Sequence, residues 1–341
     1  FVLSDATPIS QTAQDLTQCA ANPSFLIGED VNLSHASHLA RPPANVLIRP
    51  MDSLFKRVAL VARHSKPQVV ASLISLADFL AERHITVLVD RDSVSHADAG
   101  RYPLVDRADL GKLADLAIVL GGDGTMLSVA RLLAPYKVPM VGINQGRLGF
   151  MTDVPLHEMF STIEAILHGE FVPEDRILLN ATVMREDAEV TRTLAFNDVV
   201  FSRGATGSMI EFEIFIDNQF VYSQRSDGLI VSTPTGSTAY SLAAGGPILH
   251  PTIPAITLVP ICPQSLSNRP IAVNDSSVVE FMLTRGSDSR VHFDGQSHCD
   301  LLEMDRVVIR RYRNPLRILH PVGYNYYDML RHKLHWGERL L

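Results

Sequence analysis

At 341 residues, 46% of them hydrophobic, the chain can bury a sizeable core, and its length points to two domains. A net charge of -7 and a pI near 6.0, with no long Lys/Arg run, argue against a nucleic-acid partner held by phosphate neutralisation. Cys19, Cys262 and Cys299 are scattered and form no C-x-x-C pair, and no apolar stretch reaches the roughly 18 to 20 residues a membrane span needs, so a cytoplasmic protein without zinc or a membrane segment is expected.

Residues 1–50 are rich in Ser, Ala, Asn, Pro and Gln and show no sustained period, so they read as a disordered or peripheral extension. Met51 precedes the first structured segment and is expected as the natural start; deleting 1–50 is expected to leave activity intact. A strand at 58–62, a helix carrying Val69, Leu73, Ala77 and Leu80, and a strand at 85–89 follow. A buried strand at 116–120, a short helix over 127–134 and a strand at 139–143 continue the alternation, which predicts a parallel, helix-covered sheet in an α/β domain over 51–155. After about residue 170 the pattern becomes β-rich, with strands expected at 177–184, 193–201, 209–216, 220–223, 229–232, 256–259, 278–283 and 306–311. A β-rich domain over 156–318 is therefore expected, with Asp217-Asn218 as a hairpin turn. Tyr326, Tyr327, Leu330, Leu334 and Trp336 in the tail, 319–341, recur at helical spacing and predict a closing helix packed through its aromatics.

The chemistry concentrates in four places. Gly121-Gly122-Asp123-Gly124-Thr125 lies between an apolar strand and a helix, where glycines allow positive φ and close approach, and where the orphan N-H groups of the helix point at an anion. Asp123 would repel phosphate unless it faced magnesium or took a proton from an attacking hydroxyl; the alternative is a turn in which it only caps the helix. Asn197-Asp198 interrupts an apolar run, which fits either a ligand site or a locally satisfied bulge. The segment 225–241 is dense in Ser, Thr and Gly around Tyr240, a composition suited to ribose and adenine. Asp294-Gly295-Gln296 follows a strand-like run and reads as a turn, and no G-x-G-x-x-G or Walker motif occurs.

Together these segments resemble the NAD kinase family. The resemblance is carried by the 121–125 loop, Gly142-Ile143-Asn144 with Leu148-Gly149-Phe150, Asn197-Asp198, and Asp227-Gly228 through Gly246, in family order and spacing. It covers 51–341 and is strongest to enzymes of Gram-negative bacteria. It implies transfer of the ATP γ-phosphoryl group to the 2'-hydroxyl of the adenosine ribose of NAD, with Mg2+ required. Asp123 is similar to the family's catalytic carboxylate, and Gly121, Gly122, Gly124 and Thr125 to its phosphate-cradling positions. NAD contacts are implied for Asp123, Gly124, Phe150, Asn197, Asp198, Thr238, Ala239, Tyr240, Ser241, Leu242 and Ala243. Arg225, Asp227 and Gln296 match further NAD-contacting positions, some reaching across a subunit boundary, and Ser208 is a contact candidate where relatives vary. No metal ligand is assigned; Mg2+ would be held by substrate phosphates and Asp123. The resemblance further implies a homodimer or homotetramer and a tail that returns to the first domain. One departure is Gln264, where the family often has His. A lipid kinase would share the glycine loop but leave 238–241 unexplained, and a non-catalytic dinucleotide sensor would not need Asp123.

Overall fold

The computed structural model describes residues 53–63, 67–95, 98, 100–146, 148–204 and 208–336; the extension expected over 1–50 lies outside them. Two cores lie on opposite faces of one sheet. β1 (Arg57–Ala62) sends Val58, Leu60 and Ala62 into one core and Ala59 and Val61 into the other, the period-2 alternation of a strand covered on both sides. α1 (Pro67–Glu82) covers the first face with Val69, Leu73, Leu76, Ala77 and Leu80. It starts with Pro at its first position, where no donor is lost, and is followed by His84 at φ 59.

β2 (Thr86–Asp90) and β3 (Leu104–Val105) extend the sheet on one side. After α2 (Leu110–Leu113), β4 (Leu116–Gly121), α3 (Asp123–Leu133), β5 (Met140–Asn144) and β6 (Val154–Pro155) extend it on the other. α4 (Met159–Leu167) packs on the first core through Ile163 and Ile166, and β7 (Val172–Arg176) joins the same sheet, so this layer runs past residue 155.

The strands from β8 to β19 form two six-stranded antiparallel sheets. β8 (Leu179–Arg185) and β9 (Ala188–Ala195) belong to one, β10 (Asp198–Ser202) to the other. The single strand expected over 193–201 is therefore two strands, and Phe196-Asn197 is where the chain changes sheets. β11 (Ile210–Ile216) and β12 (Gln219–Ser226) form the predicted hairpin, with Asp217 and Asn218 at φ 52 and 64 as a two-residue turn of this kind requires. β13 (Gly228–Ser232), α5 (Tyr240–Ala243), β14 (Ala255–Ile261), β15 (Ile271–Asn274), β16 (Val279–Arg285), β17 (Ser289–Phe293), β18 (Ser297–Leu301) and β19 (Arg306–Arg311) follow. The facing sheets close over Phe201, Phe212 and Phe281, with the Phe201 and Phe281 rings stacked at 3.7 Å between centroids.

β20 (Leu316–His320) then returns to the first sheet between β5 and β7, parallel to β5 and antiparallel to β7. α6 (Tyr326–Leu334), capped by Asn325, sets the Tyr326 ring edge against His250 at 4.9 Å. The strand order β3-β2-β1-β4-β5 changes direction between β1 and β4. Open α/β sheets bind ligands at the carboxyl ends of strands at such a point, and these two strands end at Arg63 and at the glycine loop.

Candidate active site

β4 gives way to α3 through Gly122 alone, which has extended backbone at φ -113, ψ -177. None of Gly121, Gly122 and Gly124 has positive φ, so the expected conformational reason for glycine does not apply here. Room is the reason instead. A Cβ at Gly121 would fall 2.7 Å from Thr125 Oγ1, while one at Gly122 or Gly124 would meet nothing within 4 Å. Protein packing therefore does not require glycine at 122 and 124; both face open space at the start of the helix, where N-H groups lack intrahelical partners.

Asp123 does not cap its helix. Its Oδ2 accepts from Phe150 N at 2.9 Å, and its Oδ1 from Met151 N at 3.1 Å and Thr152 Oγ1 at 3.4 Å. Asn144 donates from Nδ2 to Thr152 Oγ1 at 3.1 Å, and Gly149 N donates to Thr152 O to close the turn. The carboxylate is thus held by a loop that follows β5, aimed by main-chain donors rather than by its own helix.

Two clefts adjoin the loop. One of about 560 Å³ is lined by Arg63, Gly121, Gly122, Gly124, Thr125 and Asn144, another of about 440 Å³ by Arg63, Asp92, Arg107, Thr125, Ser128 and Gln296. Both hold cationic side chains beside main-chain donors. Arg107 is fixed by an ion pair with the fully buried Asp90, which also accepts from Ser93 Oγ at 2.6 Å.

A third cleft of about 410 Å³ lies against the β10 sheet and is lined by Asn197, Asp198, Ala239, Tyr240, His292 and Asp294. Tyr240 is 48% exposed, so its ring is free to carry a flat ligand. Burial, reinforced by the nearby charge of Asp294, pushes the Asp198 carboxyl up to about 7. Burial raises Asp294 as well, against the N-H groups of Phe196, Asn197 and Asp198, which donate to it at 2.7 to 3.2 Å, and against Arg131. Asp294 thereby shapes the Asn197-Asp198 turn from the hairpin opposite. Two residues on, Gln296 donates to Gly124 O at 2.7 Å and accepts from Arg131 Nη2 at 2.6 Å, which ties the third cleft to the glycine loop.

Not all the expected residues converge. Asn197, Asp198, Ala239 and Tyr240 share the third cleft, and Gly121, Gly122, Gly124, Thr125 and Gln296 line the first two. Phe150 contributes its N-H to Asp123, and Thr238 donates to Thr235 O at 3.3 Å within the same segment. Ser241 is fully buried with its hydroxyl against Gly246, whereas Ala243 is exposed and Leu242 half-buried. Arg225 lines a separate cleft of about 680 Å³ with Gln264, and Asp227 pairs with Arg203 at 2.7 Å. Ser208 is exposed and lines none of these clefts. Sequence reasoning passed over Asp294, because an Asp-Gly turn is locally sufficient and its donors lie 96 to 98 residues away. It gave no weight to Thr152, Arg63 or Arg107.

Residues 58–171 match the model for the ATP-NAD kinase N-terminal domain and residues 196–320 that for the ATP-NAD kinase C-terminal domain. The chain is 79% identical over 291 residues to a NAD kinase of Chromobacterium violaceum, covering 85% of this chain and all of that protein. It is 70% identical over 291 residues to one of Laribacter hongkongensis and 51% over 296 to one of Neisseria meningitidis, with the same coverage. Yeast NADH kinase complexed with NADH shares the fold at TM-score 0.78 and 24% identity, over 85% of this chain and 91% of that one. An NAD kinase from Archaeoglobus fulgidus in complex with ATP does so at 0.65 and 23%, over 82% and 98%. With both domain models matched in order and full-length relatives at such identity, the chain belongs to the NAD kinase family.

Proposed function

We propose that the chain transfers the γ-phosphoryl group of ATP to the 2'-hydroxyl of the adenosine ribose of NAD, giving NADP and ADP, with Asp123 as the base. The observation that carries the assignment is the Asp123 carboxylate held by Phe150 N and Met151 N between Gly122 and Gly124. A carboxylate has about four acceptor directions, so three donors leave capacity for a substrate hydroxyl. Phosphoryl transfer through a loose transition state asks mainly for positioning and charge stabilisation, which the helix N-terminus and the arginines of the adjoining clefts supply. Asn197, Asp198, Thr238, Ala239 and Tyr240 hold the adenosine half of NAD in this reading, with Tyr240 under the base.

Among the described residues no three His, Cys, Asp or Glu side chains gather to cage a metal. That fits a magnesium ion carried by the triphosphate, because Mg2+ takes one or two carboxylates plus substrate phosphates rather than an all-protein cage. Asp123, and Asp92 in the cleft it shares with Gly124 and Thr125, would be the carboxylates available to the ion, which would supply charge neutralisation to the transferring group. We read the chain as a homodimer or homotetramer: Arg225 lines a different cleft from Asn197, Asp198 and Tyr240, so its contact with NAD would be made to the dinucleotide of a neighbouring copy. No helix among the described residues is long and apolar enough to cross a membrane. The cysteine pattern supports a cytoplasmic setting.

The test is NADP formation by purified protein from ATP, Mg2+ and NAD. Asp123→Asn should lower kcat by about 10² to 10⁴ and lower the melting temperature by only a few degrees, because the amide keeps one acceptor oxygen for the two main-chain donors and the protein stays folded. Parental turnover by that variant would remove Asp123 from the chemistry.

A further inference from the structure

The strand that returns from the second domain, β20, ends in His320, whose side chain is completely buried. Its Nδ1 donates to Asp153 Oδ2 at 2.8 Å, and its ring stacks on Tyr324 at 3.8 Å between centroids. On the neighbouring strand β7, Glu174 and Arg176 form an ion pair, with Glu174 Oε2 4.0 Å from His320 Nε2. Strand pairing sets Val172 opposite His320 and Glu174 opposite Ile318, so His320, Glu174 and Arg176 point from one face of the sheet. Arg176 is 1% exposed and donates from Nη1 to Thr235 Oγ1 at 3.2 Å.

Such a cluster is a poor way to stabilise a fold. Desolvating ionised groups often costs more than their attraction returns, and apolar side chains of similar volume commonly do as well or better. Several of its atoms, including Asp153 Oδ1, Arg176 Nη2 and Tyr324 Oη, have no hydrogen-bond partner within the protein. What the cluster touches gives it a reason. At one end, Asp153 directly follows Thr152 in the loop that grips Asp123. At the other, Arg176 holds Thr235, whose carbonyl accepts from Thr238 at the head of the segment bearing Tyr240.

We infer that His320, Asp153, Glu174 and Arg176 form a positioning network that holds the Asp123 loop and the nucleotide-binding segment in one fixed relation. The inference rests on the reading of Asp123 as base. The return of the tail strand then has a catalytic consequence: it delivers the imidazole that locks Asp153. None of the four is a catalytic residue, since each acts through the loops it holds.

The two ends should separate in kinetics. His320→Leu keeps an apolar body and removes the donor to Asp153, while His320→Asn puts an amide nitrogen close to the place of Nδ1. Single-turnover rates with enzyme in excess over NAD report only folded, NAD-binding molecules. There, His320→Leu should be slower by about 10- to 100-fold, the effect of an ångström-scale misplacement, with Kd for NAD within about twofold of the parent. His320→Asn should recover most of the rate. Arg176→Met should instead weaken NAD binding about tenfold with a smaller loss of rate, and Arg176→Lys should recover part of the affinity. If His320→Leu yields no folded protein, His320→Asn against His320→Gln makes the same comparison, because Gln reaches the place of Nε2 and leaves Asp153 without its donor.

Parental single-turnover rates in His320→Leu, or no recovery in His320→Asn, overturn the network while Asp123→Asn, run alongside, stays inactive. A parent that forms no NADP, or an Asp123→Asn variant at parental rate, overturns the underlying reading and this inference with it.

Discussion

Replacing Gly149 with Ala adds one methyl group to the turn that grips Asp123. A Cβ there falls 2.2 Å from Asp123 Oδ1 and 2.3 Å from Thr152 Oγ1, where real contacts do not fall below 3.0 Å. Gly149 is not among the positive-φ residues, so the backbone itself accepts Ala. Both obstructing atoms are ends of side chains, and side chains give way more cheaply than backbone. The carboxylate must retreat by about 1 Å, a displacement that can cost about 10² in rate, or about 2.7 kcal/mol on the barrier. The stability loss should sit at the low end of overpacking, about 1 kcal/mol, which moves the melting temperature by only about 2 °C. NADP formation at saturating ATP and NAD, with thermal melts on the same preparations, separates the two effects. An Ala variant that turns over at the parental rate, or that loses its fold along with its rate, would refute the reasoning.

Gly142→Ala is the contrasting case, because its Cβ would meet Met151 O at 2.2 Å and Thr152 Cα at 2.9 Å, both backbone. A loss of about 3 kcal/mol in denaturant unfolding is expected, and unchanged stability would contradict it. Tyr240→Ala should raise the Kd for NAD about 5- to 100-fold if the ring stacks on adenine, as calorimetry would show; an unaltered Kd would remove the stacking role. For Asp198 the folded carboxyl is raised to about 7 from 3.8, so the folded state keeps a proton that the unfolded state gives up. Stability from this group is therefore full below about pH 4 and falls as pH rises to about 7. Asp198→Asn should show a smaller drop in melting temperature between pH 5 and pH 8 than the parent, with part of the slope remaining because Asp294 is shifted the same way. A variant as steep as the parent would contradict the assignment.

Much of the architecture was legible because it is written in short periods. Ile210, Phe212 and Ile214 alternate with half-buried Glu211 and Glu213, and their turn, Asp217-Asn218, is chemically specified. The apolar run before Gly121 and the helical pattern after it announced a strand, a loop and a helix. Where a long-range event interrupts a local pattern, the reading failed: 193–201 looks like one strand, yet Asp294 draws the N-H groups of 196–198 away and the chain passes to another sheet. The glycine loop was found for a reason only half right, since its glycines leave space and do not supply positive φ.

The sequence by itself determined the strand-loop-helix that offers N-H groups to an anion, the hydroxyl-rich segment around Tyr240, and the family to which both belong. Tertiary structure alone decided that Asp123 is aimed by Phe150 and Met151, that Gln296 bridges to Gly124, that Arg225 lies in a different cleft, and that His320 comes home beside Asp153. The physical reason is range. Periodicity and turn chemistry act between residues a few positions apart, whereas the donors and acceptors that position a carboxylate are chosen by sheet order and strand register, which bring together groups as far apart in sequence as 153 and 320.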